Sequence, residues 1–253
     1  MADAMKQKIL KLLKELEQKH DVKILFAVES GSREWGFASE DSDYDVRAVH
    51  FGSVERYLGM HPPKENIEVL VEDGEKIDIV SWDIKKFAHL LLSSNPTVSE
   101  WLQSDIVYVE SPRRSEFRDI FEAGFSPFTL KKHYLAVAEN NYDKYIKGQH
   151  TANLKKYVYV LRALACYEFL EARNSLPPLN YKKVISYLPK EAAGFMEEVV
   201  RRKQASESTE GPANKSINEL IEIYFKRKVV PADNKFDKDE VNDLVVKIIK
   251  EAK

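Results

Sequence analysis

Apolar positions recur at two different intervals along this chain. In residues 3–19, Met5, Ile9, Leu12, Leu13 and Leu16 are separated by lysines and glutamates. That spacing lines one face of a helix. Residues 22–28 and 44–51 are largely apolar and β-branched or aromatic, which predicts two strands. Residues 67–71 and 76–81 predict two more, with Asp73-Gly74 as a hairpin turn between them. Residues 54–61 give no clear pattern, and Pro62-Pro63 breaks any helix there. Asp83 follows Trp82 and stands where a helix N-cap is expected. From that point helical intervals take over. They predict helices over 84–94, 97–102, 112–123 and 128–147, with 106–109 a short edge strand. Residues 151–172 carry the clearest stripe: Leu154, Tyr157, Val158, Leu161, Ala165 and Phe169. After Pro177-Pro178, helices are expected over 181–188 and 191–204. Residues 205–212 are polar with Gly and Pro and read as a flexible loop. Helices over 215–228 and 237–250 follow. The pattern predicts an α+β protein: a mixed sheet with helices in residues 1–125, then an all-helical domain in residues 126–253.

Composition narrows the class. The 253 residues suffice for one domain or two and for a proper core. Hydrophobic residues make up 43% and charged ones 32%, a globular balance. The formal charge of −2 argues against a general nucleic-acid coat protein but leaves room for a local basic groove. The single cysteine, Cys166, allows no intrachain disulfide and no cysteine-rich zinc site. Residues 1–19 are too charged for a secretory signal. No apolar run approaches membrane-spanning length, so the expected compartment is the cytoplasm, with no membrane partner.

The chemistry concentrates between Val28 and Val49. An apolar run ends in Gly31-Ser32, and Asp43 and Asp45 then alternate with Tyr44 and Val46. Residues two apart on a strand share a face. Two adjacent carboxylates repel, and a divalent cation is the usual resolution. The Gly-Ser step can offer backbone N–H groups and a hydroxyl to phosphate. Asp78 lies within alternating Ile77 and Ile79, so its side chain faces opposite to theirs. That makes it a better third metal carboxylate than Asp83, the helix cap; Glu68 on the preceding strand is the reserve.

Gly-Ser at a strand-to-helix turn, Asp-x-Asp on the next strand and a later carboxylate strand resemble the polymerase-β-type nucleotidyltransferase superfamily. The stretch E-S-G-S-R-E-W-G-F-A-S-E-D-S-D-Y-D-V-R is similar to the RlaP-type nucleotidyltransferases associated with RNA ligases. L-L-L-S-S-N-P-T-V-S-E-W-L-Q-S-D-I-V-Y and L-K-K-Y-V-Y-V-L-R-A-L-A-C-Y-E-F-L match later blocks of that family, so the likeness runs from about residue 24 to about residue 225. Departures are modest. Val80-Ser81 replaces a step that is often glycine-containing, and the run near Lys203 is less clear.

The resemblance implies transfer of a nucleotidyl group from an NTP to an acceptor hydroxyl, with Mg²⁺ (or Mn²⁺) as the metal. Asp43 and Asp45 would ligate metal, Asp45 bridging two ions. Asp78 would hold the second ion and assist deprotonation. Gly31 and Ser32 would cradle the β- and γ-phosphates. It also implies an RNA-repair setting, with an RNA end as acceptor and a functional association with an RNA ligase. A lysine from the helical half is expected near the triphosphate. Lys155, Lys156 and Arg162 are the candidates, with Tyr159 near the base or ribose, though each is equally an ordinary surface residue. The helical domain would close over the active site.

The remaining residues have bland alternatives. Arg33 contacts the triphosphate or pairs with Glu29 or Glu34. Arg47, on the face of Asp45, reads as its structural counter-ion. Trp35 stacks on a base or packs on a core, and Gly36 serves a tight turn. His133 and Tyr134 line a cleft or are structural. Arg113-Arg114, Lys131-Lys132 and Arg201-Arg202-Lys203 contact an RNA backbone or merely solubilise. Cys166 reads as a small buried hydrophobe. Two rival readings stay open: nucleotidylation of a small molecule or protein, and a non-catalytic nucleotide- or RNA-binding module.

Overall fold

The computed structural model describes residues 2–72 and 76–251. The expected turn at Asp73-Gly74 lies outside them. The chain opens with α1 (Ala2–His20), β1 (Lys23–Ser30), the single-turn α2 (Gly31–Glu34), β2 (Tyr44–Phe51) and α3 (Val54–Leu58). Next come β3 (Asn66–Val71), β4 (Ile77–Asp83), α4 (Ile84–Leu92), α5 (Pro96–Gln103), β5 (Val107–Val109) and α6 (Pro112–Gly124). The remainder holds α7 (Pro127–Tyr145), β6 (Thr151–Asn153), α8 (Leu154–Arg173), α9 (Lys190–Gln204), β7 (Glu210–Pro212), α10 (Lys215–Phe225) and α11 (Lys238–Lys250). The architecture is mixed α/β.

Two compact units divide these elements. The first comprises Met1–Glu34, Asp43–Phe125 and Asn234–Lys253, and the second Trp35–Ser42 and Ser126–Asp233. One junction falls at residue 125, but the division is not a single cut. The last helix returns to the first unit. Phe236 seats on Gly124, where any Cβ would overlap its ring. The Lys235 N–H donates to the Gly124 carbonyl at 2.8 Å, and Arg113 binds Glu251 at 2.6 Å. Helical periodicity predicts α11 but carries no information about which core its apolar face joins.

The first unit is built on a five-stranded sheet in the order β3-β4-β2-β1-β5. β2 and β4 run parallel; the other neighbours are antiparallel. In β1, residues Leu25 to Glu29 are all buried, as expected for a strand covered on both faces. One face takes α1 through Met5, Ile9, Leu13 and Leu16, packed with Ala27, Val46, Ala48, Ile77 and Ile79. On the other, Phe26 meets Phe87 of α4, which in turn contacts Trp101 of α5 and Phe117 of α6. Asp83 caps α4 as its position predicts, accepting from the Lys85 N–H at 2.9 Å and the Tyr57 hydroxyl at 2.6 Å. Such a cap contributes about 1 kcal/mol.

The second unit is helical apart from a two-stranded ribbon. Here three expectations are corrected. The helix expected over 151–172 starts at Leu154, capped by Asn153, because Thr151–Asn153 pairs with Glu210–Pro212. The segment 205–212 is therefore not wholly loop. Its Gly-Pro composition hides a three-residue strand that exists only through its distant partner. Residues 181–188 form two 3₁₀ turns, Tyr181–Lys183 and Ile185–Tyr187, rather than an α-helix. Asn180 caps the first, and Pro189 follows closely on the second.

Candidate functional site

β2 begins at Tyr44, so Asp43 directly precedes the strand and Asp45 is its second residue. The parallel pairing sets Asp45 opposite Asp78. Paired residues on neighbouring strands point to the same face, about 5 Å apart. Arg47, two residues beyond Asp45, shares that face. Its Nη2 donates to Asp45 Oδ1 and to Asp78 Oδ2, each at 2.9 Å. Burial pushes the Asp45 carboxyl upward from its ordinary value; Arg47 opposes this, while Asp78 and Asp43 reinforce it. Asp43 is turned elsewhere. Its carboxylate meets Lys76 at 3.5 Å, and its carbonyl accepts from Arg33 Nε at 3.1 Å. Among the described residues no group of three or more His, Cys, Asp or Glu is placed to hold a metal ion. The pair Asp45 and Asp78 converges; Asp43 does not join it. Glu68 lies across from Val80 on the exposed edge strand β3, away from the pairing of Asp78 with Asp45.

The Gly-Ser step is fitted to Asp45. Gly31 has φ +63°, and a Cβ there would overlap Asp45 Oδ2. Only glycine meets both conditions. Ser32 is buried in α2, and Arg33 lays its guanidinium over the Tyr44 ring, 3.7 Å from the centroid.

Two buried acids flank this turn, and sequence reasoning treated them only as surface partners for Arg33. Glu29, 1% exposed, accepts from the Asp45 N–H at 2.8 Å and from the Tyr108 hydroxyl. Burial raises its pKa to about 7, against the lowering effect of those hydrogen bonds. Glu34 accepts from the Ser104 hydroxyl at 2.9 Å and from the Asp105 and Ile106 N–H groups at 3.2 Å. Together they tie the Gly-Ser turn to the β2 start and to the segment before β5. The available signal was their position: glutamates bracketing Gly-Ser inside an otherwise apolar context.

The nucleotide-side candidates from the helical half fall into the second unit. Lys155 and Lys156 are partly exposed near the start of α8. Lys156 Nζ stands 4.2 Å from the Tyr145 ring centroid and 5.6 Å from that of Tyr159. Arg162 is different. It is 5% exposed, donates to the Leu179 carbonyl, and stacks on Trp35 at 4.0 Å. Trp35 also meets Phe37 and Tyr159, so its packing reading is the one the geometry realises. Gly36 has φ +86°, and a Cβ there would come within 2.6 Å of Asn180 Nδ2. Lys203, 9% exposed, stands over the Phe37 ring. His133 packs beside Tyr134, and Cys166 is buried in α8.

Several residues of the basic pairs are engaged within their own units. Arg114 is buried against the carbonyls of Trp101, Leu102 and Ser104. Arg113 pairs with Glu116, Lys131 with Glu171, and Arg201 with Glu198.

A glycine-serine turn pressed against an aspartate, with a second aspartate from a parallel neighbour strand, is the arrangement expected of a polymerase-β-type nucleotidyltransferase. The chain belongs to the family described as "RlaP: RNA repair pathway DNA polymerase beta family", whose model matches residues 5–247. It is 36% identical over 256 residues to a Bacillus subtilis (strain 168) protein described as "Uncharacterized protein YcgL", an alignment covering 98% of this chain and 97% of that one. A solved nucleotidyltransferase-like protein from Exiguobacterium sibiricum 255-15 aligns over 98% of this chain and 77% of its own, at 10% identity and a TM-score of 0.33. That likeness is too low to carry a structural argument. Among the described residues no helix is long and apolar enough to cross a membrane.

Proposed function

We propose that the protein is a metal-dependent nucleotidyltransferase that moves an NMP from an NTP to an acceptor hydroxyl. The observation that carries this reading is the register of Asp45 with Asp78 beside the Gly31 turn. The acceptor oxygen attacks the α-phosphorus, the bond to the β-phosphate oxygen breaks, pyrophosphate leaves, and the hydroxyl proton is lost to a carboxylate. Such a reaction is driven by positioning and by neutralising charge where it develops.

The donor set fits Mg²⁺ or Mn²⁺: carboxylate oxygens only, few in number, with room for phosphate oxygens and water in the remaining positions. Asp45 and Asp78 would hold the metal, and Asp43 would join them once released from Lys76. A bound ion would stabilise the attacking and leaving oxygens. Asp78 would take the proton. Gly31 and Ser32 would present N–H groups to the β- and γ-phosphates, and Arg33 would contact the triphosphate. Lys155, Lys156 and Tyr159 are kept as nucleotide contacts. Arg162, stacked on Trp35, acts by holding the aromatic cluster rather than by touching phosphate.

The family description names an RNA repair pathway, which favours an RNA end as acceptor; a functional association with an RNA ligase is part of the same proposal. One observation favours a smaller acceptor: Arg114 and Lys203, two of the basic residues that could have met an RNA backbone, are buried. The test is to incubate the protein with Mg²⁺ or Mn²⁺, each α-labelled NTP, and RNAs of defined ends. Label on one RNA end supports the RNA acceptor and names the donor. Pyrophosphate release that appears only with an RNA-free cell extract moves the acceptor to a small molecule or protein. Nucleotide bound but never consumed contradicts the enzyme reading and favours a binding module.

A further inference from the structure

Arg47 stands between the two carboxylates that face each other across β2 and β4. Nη2 reaches both, while Nη1 donates to the Asp78 carbonyl at 3.0 Å and the Val46 carbonyl at 3.2 Å. Four acceptors therefore fix one guanidinium. A magnesium ion bridging the same two carboxylate oxygens would lie about 2.0–2.1 Å from each. That is the space Nη2 fills, and two positive charges there would repel. The second oxygen of Asp45, Oδ2, lies beside Gly31.

The guanidinium is also less exposed than its partners. The Arg47 side chain is 18% exposed, against 29% for Asp45 and 35% for Asp78. Arginine cannot release the carboxylates by losing a proton. It can do so only by moving, and its planar fork suits phosphate as well as carboxylate.

We propose that Arg47 is a built-in cation that holds Asp45 and Asp78 closed in the nucleotide-free protein and yields them to a divalent ion only as a triphosphate draws the guanidinium away. Arg47 is then a positioning residue that couples metal entry to nucleotide binding. The inference rests on the reading of Asp45 and Asp78 as metal carboxylates. It adds an order of events: the ion arrives with the nucleotide, not before it. It also gives the carboxylates a partner in the resting state, so that neither is left uncompensated in a partly buried corner.

The test is Mn²⁺ binding to the full chain without nucleotide, read from the spectroscopic signal of free Mn²⁺. Wild type, Arg47→Gln, Arg47→Lys and Asp78→Asn are compared, with Asp78→Asn also placed in the Arg47→Gln background. Arg47→Gln is expected to bind at least about tenfold tighter than wild type, a difference of about 1.4 kcal/mol. Arg47→Lys, which keeps the charge but loses the fork, falls between them and stands in if the glutamine variant fails to fold. Adding Asp78→Asn removes the gain. By reciprocity, Mn²⁺ raises NTP affinity by a larger factor in wild type than in Arg47→Gln. Equal or weaker Mn²⁺ binding in both Arg47 variants, with binding still lost in Asp78→Asn, overturns the role of Arg47 and leaves the metal reading standing. Mn²⁺ binding indifferent to Asp78 in every background overturns both.

Discussion

Two arginines show what separates a chemical corner from a packed one. Arg47 is held by four acceptors, and Arg162 by a carbonyl and an indole ring, each within its own unit. Arg47 lies among carboxylates that keep about a third of their side chains exposed. Arg162 lies under an aromatic lid of Trp35 and is bound to a backbone carbonyl. In the first corner one guanidinium serves two carboxylates whose oxygens stay reachable, so a cation can compete for the oxygens and a phosphate for the guanidinium. In the second, the cation is consumed by packing. On the proposed reading the metal chemistry belongs to the sheet corner of the first unit, and an arginine on a helix of the second is not by itself a phosphate ligand.

The largest effect tests the first corner. Asp45→Asn and Asp78→Asn should each lower nucleotidyl transfer by about a thousandfold, the several kcal/mol that metal-assisted charge stabilisation supplies. Their circular dichroism should match wild type. Residual activity near wild type in either would remove that residue from the site.

The next effect tests the second corner. Trp35→Ala should destabilise the second unit by about 3 kcal/mol, at the low end of a large aromatic truncation, measured by denaturant melting. Trp35→Phe should recover most of the stability and all of the activity. Loss of nucleotide affinity in Trp35→Phe with stability retained would revive base stacking.

A smaller loss is expected from Gly31→Ala. A left-handed φ costs a side-chain-bearing residue about 1–2 kcal/mol, and the new methyl must displace Asp45 Oδ2. Stability should fall by that amount and activity by more than Trp35→Phe shows. Unchanged activity would mean that the turn does not position Asp45.

The smallest effect lies outside both corners and calibrates them. His50 is buried, with its ring nitrogens against the Ser81 hydroxyl and the Lys64 carbonyl. Burial holds its pKa below the ordinary value. The unfolded chain therefore takes up the proton first, and the His50 contribution to stability is lost as pH falls below about 6.5. His50→Gln should flatten the melting temperature between about pH 6.5 and 5. An unchanged slope would assign that pH dependence to other groups.

Much of the first corner was legible in the sequence because it is local. Strand alternation placed Asp78 opposite Ile77 and Ile79, and the position after Trp82 marked Asp83 as a cap. The bounds of β2 follow from its apolar run. What stayed hidden needed a partner strand. Nothing local says that β2 and β4 run parallel with Asp45 against Asp78, so the bridge through Arg47 could be read only as a pairing with Asp45. Glu29 and Glu34 look like exposed charges until the Ser104–Ile106 segment and Tyr108 cover them. Arg162 and Lys203 sit at positions that read as solvated charge, and it is the return of residues 35–37 that buries them. The same holds for α11, whose periodicity was clear and whose core was not.

The measurement that tests the central claim most directly is the fate of two labels on one nucleotide. The protein is given Mg²⁺, its acceptor, and NTP labelled at either the α- or the γ-phosphorus, beside Asp45→Asn. Nucleotidyl transfer predicts α-label on the acceptor, γ-label only in pyrophosphate, and neither change in the variant. γ-label on the acceptor, or equal turnover in Asp45→Asn, would contradict it.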